Sequence, residues 1–144
     1  MTIHTLAREA VVTVAPDTPA SDVADLLARE QVGSAVVVDG DRPVGIVTDR
    51  DLAIDVLGVG TDPAAKTAGD LVEGELFTVE SGTGVFETID AMREANVRRV
   101  PVVEDGRLVG IVTLDDLLVL LSDELANLTR IIEAESPPYA AKGA

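Results

Sequence analysis

GIVTDRDL at residues 45–52 and GIVTLDDL at residues 110–117 are two copies of one segment, 65 positions apart. The same offset holds without a gap back to Thr13 and Thr78, and 15 of the 40 paired residues are identical. Self-similarity at a fixed period is the sequence signature of a structural repeat. The chain is therefore an internal duplication, in which each copy is one structural unit.

The first copy carries a clear order of secondary-structure signals. An extended segment at residues 11–15 leads into a helix, for which Thr18 supplies the N-cap. Two β-rich runs, residues 35–38 and 44–48, then enclose a polar turn, and a last helix begins at Asp49. The second copy repeats this pattern at residues 76–80, Thr83, residues 100–103, residues 108–113 and Leu114. The order strand, helix, strand, strand, helix predicts an α+β fold.

One copy alone would leave part of its apolar surface uncovered. A three-stranded sheet with helices on one face needs cover on the other face, and the second copy is the natural partner. We therefore expect two tandem β-α-β-β-α repeats packed about a pseudo-twofold axis. The expected boundaries are residues 1–60 for repeat 1, 61–69 for a linker, 70–130 for repeat 2 and 131–144 for a C-terminal tail.

Composition narrows the class of protein. The chain has no cysteine and carries 26 acidic residues against 11 basic ones, a net charge of −15. The missing thiols leave no disulfide or thiolate metal site, and the charge disfavours a nucleic-acid surface. No apolar run approaches the length of about 20 residues that a membrane helix needs, so we expect no membrane contact and a cytoplasmic location. The acidity fits either a solvated surface or adaptation to high salt, a halophilic origin.

The repeated Gly-Ile-Val-Thr-x-x-Asp segment places Thr48 and Asp51 at a junction between strand and helix, and Thr113 and Asp116 occupy the same positions in the second copy. A carboxylate there can accept hydrogen bonds from the two hydroxyls of a ribose, and helix N-terminal amides favour anions. Gly45 would let the backbone approach a ligand closely. The alternative is a helix capping box, which needs no ligand. Capping and binding can coexist.

With these residues the units resemble CBS (cystathionine beta-synthase) repeats, small modules that work in pairs. The likeness extends from residue 6 to residue 128. The resemblance implies a CBS pair, or Bateman module, acting as a stand-alone regulatory or sensor protein. It would bind AMP, ADP, ATP or S-adenosylmethionine in clefts between the repeats, with no obligatory cofactor. It also implies a homodimer and a separate effector protein.

The resemblance also implies ligand-binding positions. Thr48, Asp51, Thr113 and Asp116 would contact ribose and phosphate. The adenine pocket would use the first extended segment and the residues that enter the second strand of each repeat. These are Thr13, Val14, Pro16, Gly33, Ser34 and Ala35 in repeat 1 and Thr78, Val79, Val97, Arg98, Arg99, Val100 and Pro101 in repeat 2.

Arg98 and Arg99 are a basic pair in a very acidic chain. The resemblance directs at least one of them toward ligand phosphates, and the alternative is a solvent-facing pair or an ion pair with Glu94 or Glu104. Gly33 and Ser34 take their places in repeat 1. The two clefts are therefore not equivalent, and one tight site beside one weak or empty site is expected.

The last helix is longer than one repeat requires. Leu117, Leu121, Leu125, Leu128 and Ile132 form a helical stripe. The stripe could close a dimer or pack back on its own module.

Two further classes of function compete with a nucleotide sensor. One is a protein-interaction or assembly disc whose clefts are vestigial, against which the intact Thr and Asp of both copies argue. The other is an enzyme acting on nucleotides, but the sequence has no phosphate-cradling glycine loop, metal cluster or nucleophile–base pair. We predict no enzymatic activity, no catalytic residue and no metal site.

Overall fold

The computed structural model describes residues 1–135. Met1–Val112 form one compact unit that holds both sheets, and the last helix belongs to a second unit. In chain order the elements are α1 (Ile3–Leu6), β1 (Thr13–Val14), α2 (Ala20–Glu30), β2 (Ser34–Asp39), β3 (Arg42–Thr48), α3 (Asp49–Asp51), a π-helix (Leu52–Leu57), α4 (Ala68–Leu71), β4 (Val79–Glu80), α5 (Val85–Ala95), β5 (Arg99–Glu104), β6 (Arg107–Thr113) and α6 (Leu114–Glu135).

The two repeats contain sheets of identical strand order, β1-β2-β3 and β4-β5-β6. The first strand is parallel to the second in both repeats, with Thr13 opposite Val36 and Val79 opposite Val102. In repeat 1 the second and third strands are antiparallel. Val36 and Val37 of β2, and Val102 and Val103 of β5, are consecutive buried residues, so both faces of each central strand are covered. The predicted α+β fold of two tandem repeats is confirmed.

Three local predictions were wrong. The helices α2 and α5 begin after Pro19 and Gly84, and neither has a side-chain cap. The hydroxyl of Thr18 instead accepts a hydrogen bond from the Ala15 N–H at 3.2 Å, so it closes the turn before the helix. Arg42 and Pro43 were expected in the turn but lie in β3, which leaves a two-residue hairpin loop.

The short helix α4 precedes repeat 2 in the sequence but packs in the core of repeat 1. Its Ala68 N–H donates to the Thr18 carbonyl at 2.8 Å, and the Gly69 N–H donates to the Pro16 carbonyl at 2.8 Å. Ala68 and Leu71 are buried in one cluster with the side chains of β2 and α2. The end of the connector therefore completes the first repeat.

Helix α1 makes the same contacts with repeat 2. The Ile3 N–H donates to the Thr83 carbonyl at 2.7 Å, the His4 N–H donates to the Ser81 carbonyl at 3.2 Å, and Ile3 is fully buried. Donor and acceptor are both shifted by 65 positions relative to the contacts of α4. Each repeat thus receives its leading helix from the other, an exchange that the sequence analysis did not anticipate.

Residues 131–135, which were expected to begin the tail, are the last residues of α6. The remainder of the predicted tail, residues 136–144, lies outside the described residues. Within residues 1–135 no helix combines the length and the apolar character that crossing a membrane would require.

Candidate functional site

Thr48 and Asp51 form a capping box at the start of α3. The Thr48 N–H donates to Asp51 Oδ2 at 2.9 Å, and the Asp51 N–H donates to Thr48 Oγ1 at 3.1 Å. Both side chains are half-buried. Among the hydrogen bonds within residues 1–135, none uses Asp51 Oδ1. The capping interpretation is therefore correct, and it leaves one carboxylate oxygen for a ligand.

Two further Thr-x-x-Asp boxes occur in the chain. At the start of α6 the Thr113 N–H donates to Asp116 Oδ2 at 3.3 Å, and the Asp116 N–H returns a bond of 3.2 Å to Thr113 Oγ1. Thr67 and Asp70 form the third box, at the exposed start of α4. There the Thr67 backbone N–H, with a side-chain hydrogen bond from Thr67, lowers the pKa of Asp70 below its ordinary value. The motif alone is therefore not a ligand signal.

A cavity in the unit Met1–Val112, named the larger cavity because a second one described below is smaller, has a volume of about 370 Å³ and is bordered by both repeats. Repeat 1 contributes Gly45 and Ile46 of β3. The remaining wall consists of the segment before β4 and the entrance to β5, namely Val72, Glu73, Gly74, Glu75, Leu76, Phe77, Ala95, Val97 and Arg99. A mostly apolar cavity with a few charged groups has the character of a small-molecule site.

The first capping box lies at the end of β3, beyond the part of that strand that lines this cavity. Alternate residues of a strand share one face, so Thr48 lies on the same face of β3 as Ile46. Neither Thr48 nor Asp51 is itself a lining residue of the cavity. The backbone brings Gly33 and Ser34 to the same end of the sheet, because Asp49 N–H donates to the Gly33 carbonyl at 2.9 Å and Ser34 is the β2 partner of Thr48.

The smaller cavity, of about 260 Å³, is lined by Ala10, Val11, Val12, Thr13, Leu26 and Glu30. Four of these residues, Ala10, Val11, Val12 and Glu30, align in the 65-residue frame with Glu75, Leu76, Phe77 and Ala95, which line the larger cavity. The two cavities are therefore the same place in the two repeats. The resemblance implied two clefts between the repeats, but the residues that line the smaller cavity all belong to repeat 1.

A backbone bridge distinguishes the two places. The Arg8 N–H donates to the Ile111 carbonyl and the Ile111 N–H donates to the Arg8 carbonyl, both at 3.0 Å. The residues in the same positions of the other repeat are Glu73 and Ile46, and within residues 1–135 they are not joined in this way. The unbridged pair lies in the wall of the larger cavity.

The predicted binding residues fall into two groups. Arg99 is half-buried and lines the larger cavity, Thr13 lines the smaller one, Arg98 is exposed, and Pro16 and Thr78 are half-buried. Five of the other predicted positions have side chains that are buried in the protein core: Val14, Ala35, Val79, Val100 and Pro101.

Close approach of a ligand to Gly45 stays a prediction, but the structure also gives a packing role to Gly45 and to Gly110, the glycine in the same position of repeat 2. A Cβ on Gly45 would overlap the side chain of Val72, and one on Gly110 would lie 2.8 Å from Ala7 Cβ. Both glycines therefore make room for the segment that follows the other repeat's leading helix. Three residues that line the larger cavity were not predicted from the sequence: Phe77, Glu73 and Glu75. The 65-residue frame contained the signal, because Phe77 aligns with Val12 inside the first extended segment.

The model of the CBS domain family matches residues 3–58 and 68–123. The chain belongs to the CBS domain family. An uncharacterised protein of Methanopyrus kandleri is 37% identical over 120 residues, which cover 82% of this chain and 61% of that protein. The chain thus spans less than two thirds of this relative's length.

Two solved CBS structures with bound adenosyl compounds resemble the chain. A CBS domain protein of Pyrobaculum aerophilum, complexed with AMP, has a TM-score of 0.74 and 29% identity, covering 88% of this chain and 99% of that one. The CBS domain pair of protein MJ0100, in complex with 5′-methylthioadenosine and S-adenosylmethionine, has a TM-score of 0.76 and 25% identity, covering 86% and 98%. In these two proteins the CBS fold holds adenosine derivatives.

Proposed function

We propose that the chain is a regulatory module that binds an adenosyl ligand, of the class of AMP, ADP, ATP or S-adenosylmethionine, in the larger cavity. The observation that carries the proposal is that β3 contributes Ile46 to this cavity and ends two residues later at the Thr48–Asp51 box, so that an apolar wall and a hydrogen-bond acceptor follow one another along the strand. The two related structures with bound adenosine derivatives support the same ligand class.

Each part of the ligand has a proposed partner. Phe77, Leu76 and Val97 offer apolar surface to the adenine, and an aromatic ring adds stacking. Asp51 Oδ1 accepts from the ribose hydroxyls. Arg99 faces the charged end of the ligand. We propose that Thr113 and Asp116, which form the corresponding box of repeat 2, contact the ribose of a second ligand.

A ligand bound between β3 and the segment 72–77 would contact both repeats. Its binding would therefore favour one arrangement of the repeats over others, which is how a ligand shifts a conformational equilibrium. We propose that an effector protein reads this shift and that the chain is not itself an enzyme. The cytoplasmic location, the high-salt adaptation and the lack of nucleic-acid binding remain predictions from the sequence.

Calorimetric titration with AMP, ATP, S-adenosylmethionine and 5′-methylthioadenosine tests this function. We expect saturable binding of at least one compound, and Asp51→Ala should weaken it about 100-fold, because two hydrogen bonds to a charged group contribute about 3 kcal/mol together. Asp70→Ala is the control for the loss of a capping box, since Asp70 forms an equivalent box at the start of α4. Silence from all four compounds in folded, ligand-free protein would favour the assembly-disc function instead.

We also propose that the module pairs with a second copy through α6. Leu117 is buried, whereas Leu118, Leu121, Leu125, Leu128 and Ile132 are between 40% and 65% exposed. These five side chains recur at alternating intervals of three and four residues, which is the spacing of a coiled-coil seam. They extend over about 21 Å of helix as one contiguous row, and contiguous exposed apolar side chains mark a surface for association with another protein.

Sedimentation analysis of wild type and two variants tests the pairing. We expect a dimer for wild type and a monomer for Leu125→Glu, which places a charge in the seam. Val119→Glu is the control, because Val119 is also exposed on α6 but lies off the seam. A monomeric wild type, or equal dissociation of both variants, would contradict the pairing.

A further inference from the structure

The larger cavity is lined by more acidic than basic side chains. Glu73, Glu75 and Arg99 line it, and both glutamates are exposed. The Arg99 side chain is half-buried and forms no hydrogen bond or ion pair with any other residue among 1–135. The wall therefore presents one uncommitted cation and two carboxylates, in a chain whose net charge is −15.

This balance opposes a polyphosphate chain. ATP brings about four negative charges at neutral pH, and each one near a glutamate meets a repulsion of about 1 kcal/mol in water and about 4 kcal/mol near a protein surface at 4 Å. One arginine can pair with one phosphate or one carboxylate. A ligand end that carries a single anion and a cation would match both Arg99 and the glutamates.

We infer that the larger cavity selects adenosyl ligands without a polyphosphate, and most strongly those whose 5′ substituent carries both a cation and a carboxylate, as the sulfonium and amino-acid end of S-adenosylmethionine does. The inference rests on the proposed function of this cavity. It requires Glu73 and Glu75 to act as selectors against phosphate charge.

The corresponding positions of the other repeat lack this arrangement. Glu73, Glu75 and Arg99 align with Arg8, Ala10 and Ser34. Of these three, only Ala10 lines the smaller cavity. The selection therefore belongs to one cavity and not to the repeated fold.

Three probes that share the adenosine group test the inference: S-adenosylmethionine, 5′-methylthioadenosine and ATP, titrated at low salt. We expect ATP to bind at least about 10-fold more weakly than methylthioadenosine, and S-adenosylmethionine to bind more tightly than either. Raising KCl to 1 M should narrow the difference, because the Debye length falls from about 10 Å at 0.1 M to about 3 Å.

The double variant Glu73→Gln/Glu75→Gln should bring the ATP affinity closer to that of methylthioadenosine. Glu80→Gln/Glu87→Gln changes the net charge equally at exposed sites outside the cavity and should leave the ratio unchanged. ATP binding as tightly as methylthioadenosine, with both lost in Asp51→Ala, would overturn the selection and leave the proposed function in place. An equal response of the two double variants would also overturn it. Absence of binding by all three probes would overturn both.

Discussion

The two cavities occupy the same place in two copies of one repeat, but only the larger cavity is also lined by a strand of the other repeat, β3. Over Gly110 the backbone of Arg8 comes close, with its carbonyl 3.1 Å from the position of an added Cβ, and it bridges to Ile111. Over Gly45 the branched side chain of Val72 fills the same space. Ala7 takes the position at Gly110 that Val72 takes at Gly45. The smaller side chain thus accompanies the backbone bridge, and the larger one accompanies the open cavity.

A duplication supplies two equivalent places in the fold, and the segment that enters each repeat determines which residues line each cavity. Ala7, Arg8 and Ala10 enter one repeat, whereas Val72, Glu73 and Glu75 enter the other. The Thr-x-x-Asp boxes themselves scarcely differ, with hydrogen bonds of 2.9 and 3.1 Å in one copy and 3.3 and 3.2 Å in the other.

The largest expected difference between the cavities is in ligand affinity, because the larger cavity has an aromatic ring, Phe77, where the smaller one has Val12. Phe77→Ala should weaken adenosyl binding in the larger cavity about 30-fold, because stacking of a base on an aromatic ring contributes about 1–3 kcal/mol. Val12→Ala changes the residue in the same position of the other repeat and should leave this binding event unchanged. Calorimetry of both variants measures the difference. Equal losses would show that the cavities are not distinguished by Phe77.

The close approach at Gly45 is the second expected difference. Gly45→Ala should destabilise the fold by about 1–3 kcal/mol, since the new methyl group overlaps Val72, as in other overpacked cores. Thermal denaturation of Gly45→Ala and of Gly45→Ala/Val72→Ala checks this, because removing the valine branches should restore much of the loss. A double variant no more stable than the single one would mean that Val72 is not the obstacle.

A smaller effect is expected at the leading helices. Thr67 and Asp70 cap α4, whereas their counterparts Thr2 and Thr5 leave α1 without a side-chain cap. Thr5→Asp should create the missing box and stabilise the fold by about 0.5–1 kcal/mol. His4→Asp adds the same negative charge one residue away and should not. Denaturant titration of both variants measures this, and equal midpoints would contradict the capping explanation.

The smallest expected effect is a pH dependence confined to α4. Because the pKa of Asp70 is lowered in the folded protein, its contribution to stability is present above the pKa of the unfolded chain and is lost as the pH falls through the lower folded value. Wild type should therefore exceed Asp70→Asn in stability at neutral pH, and the gap should close in acid. Parallel pH-dependent denaturation curves for the two proteins would contradict this.

Much of the fold could be predicted from the sequence because the repeat frame aligned two independent sets of signals. The strands and the helix starts at Asp49 and Leu114 have strong local patterns. The helices α1 and α4 have four residues each, too few for a periodic pattern, and their contacts join residues far apart in the chain. The exchange of leading helices therefore has no signature in the local sequence.

The candidate site was predicted less completely for a related reason. Family likeness predicted Thr48, Asp51 and Arg99, which carry polar groups at fixed motif positions, and Arg99 lines the larger cavity. Phe77 and Glu73 line the same cavity because the segment before β4 lies against β3 of the other repeat. That adjacency depends on the exchange of leading helices, which the sequence did not predict.

The reciprocal exchange of α1 and α4 has a consequence for dissecting the molecule. A cut in the connector, between Gly58 and Gly60, would produce one fragment that keeps Ile3 without its acceptor at Thr83 and another that keeps Ala68 without its acceptor at Thr18. Neither fragment could complete its own core, but each carries the missing piece of the other. The two fragments should therefore complement each other when mixed, and in the intact chain residues 58–66 connect them covalently.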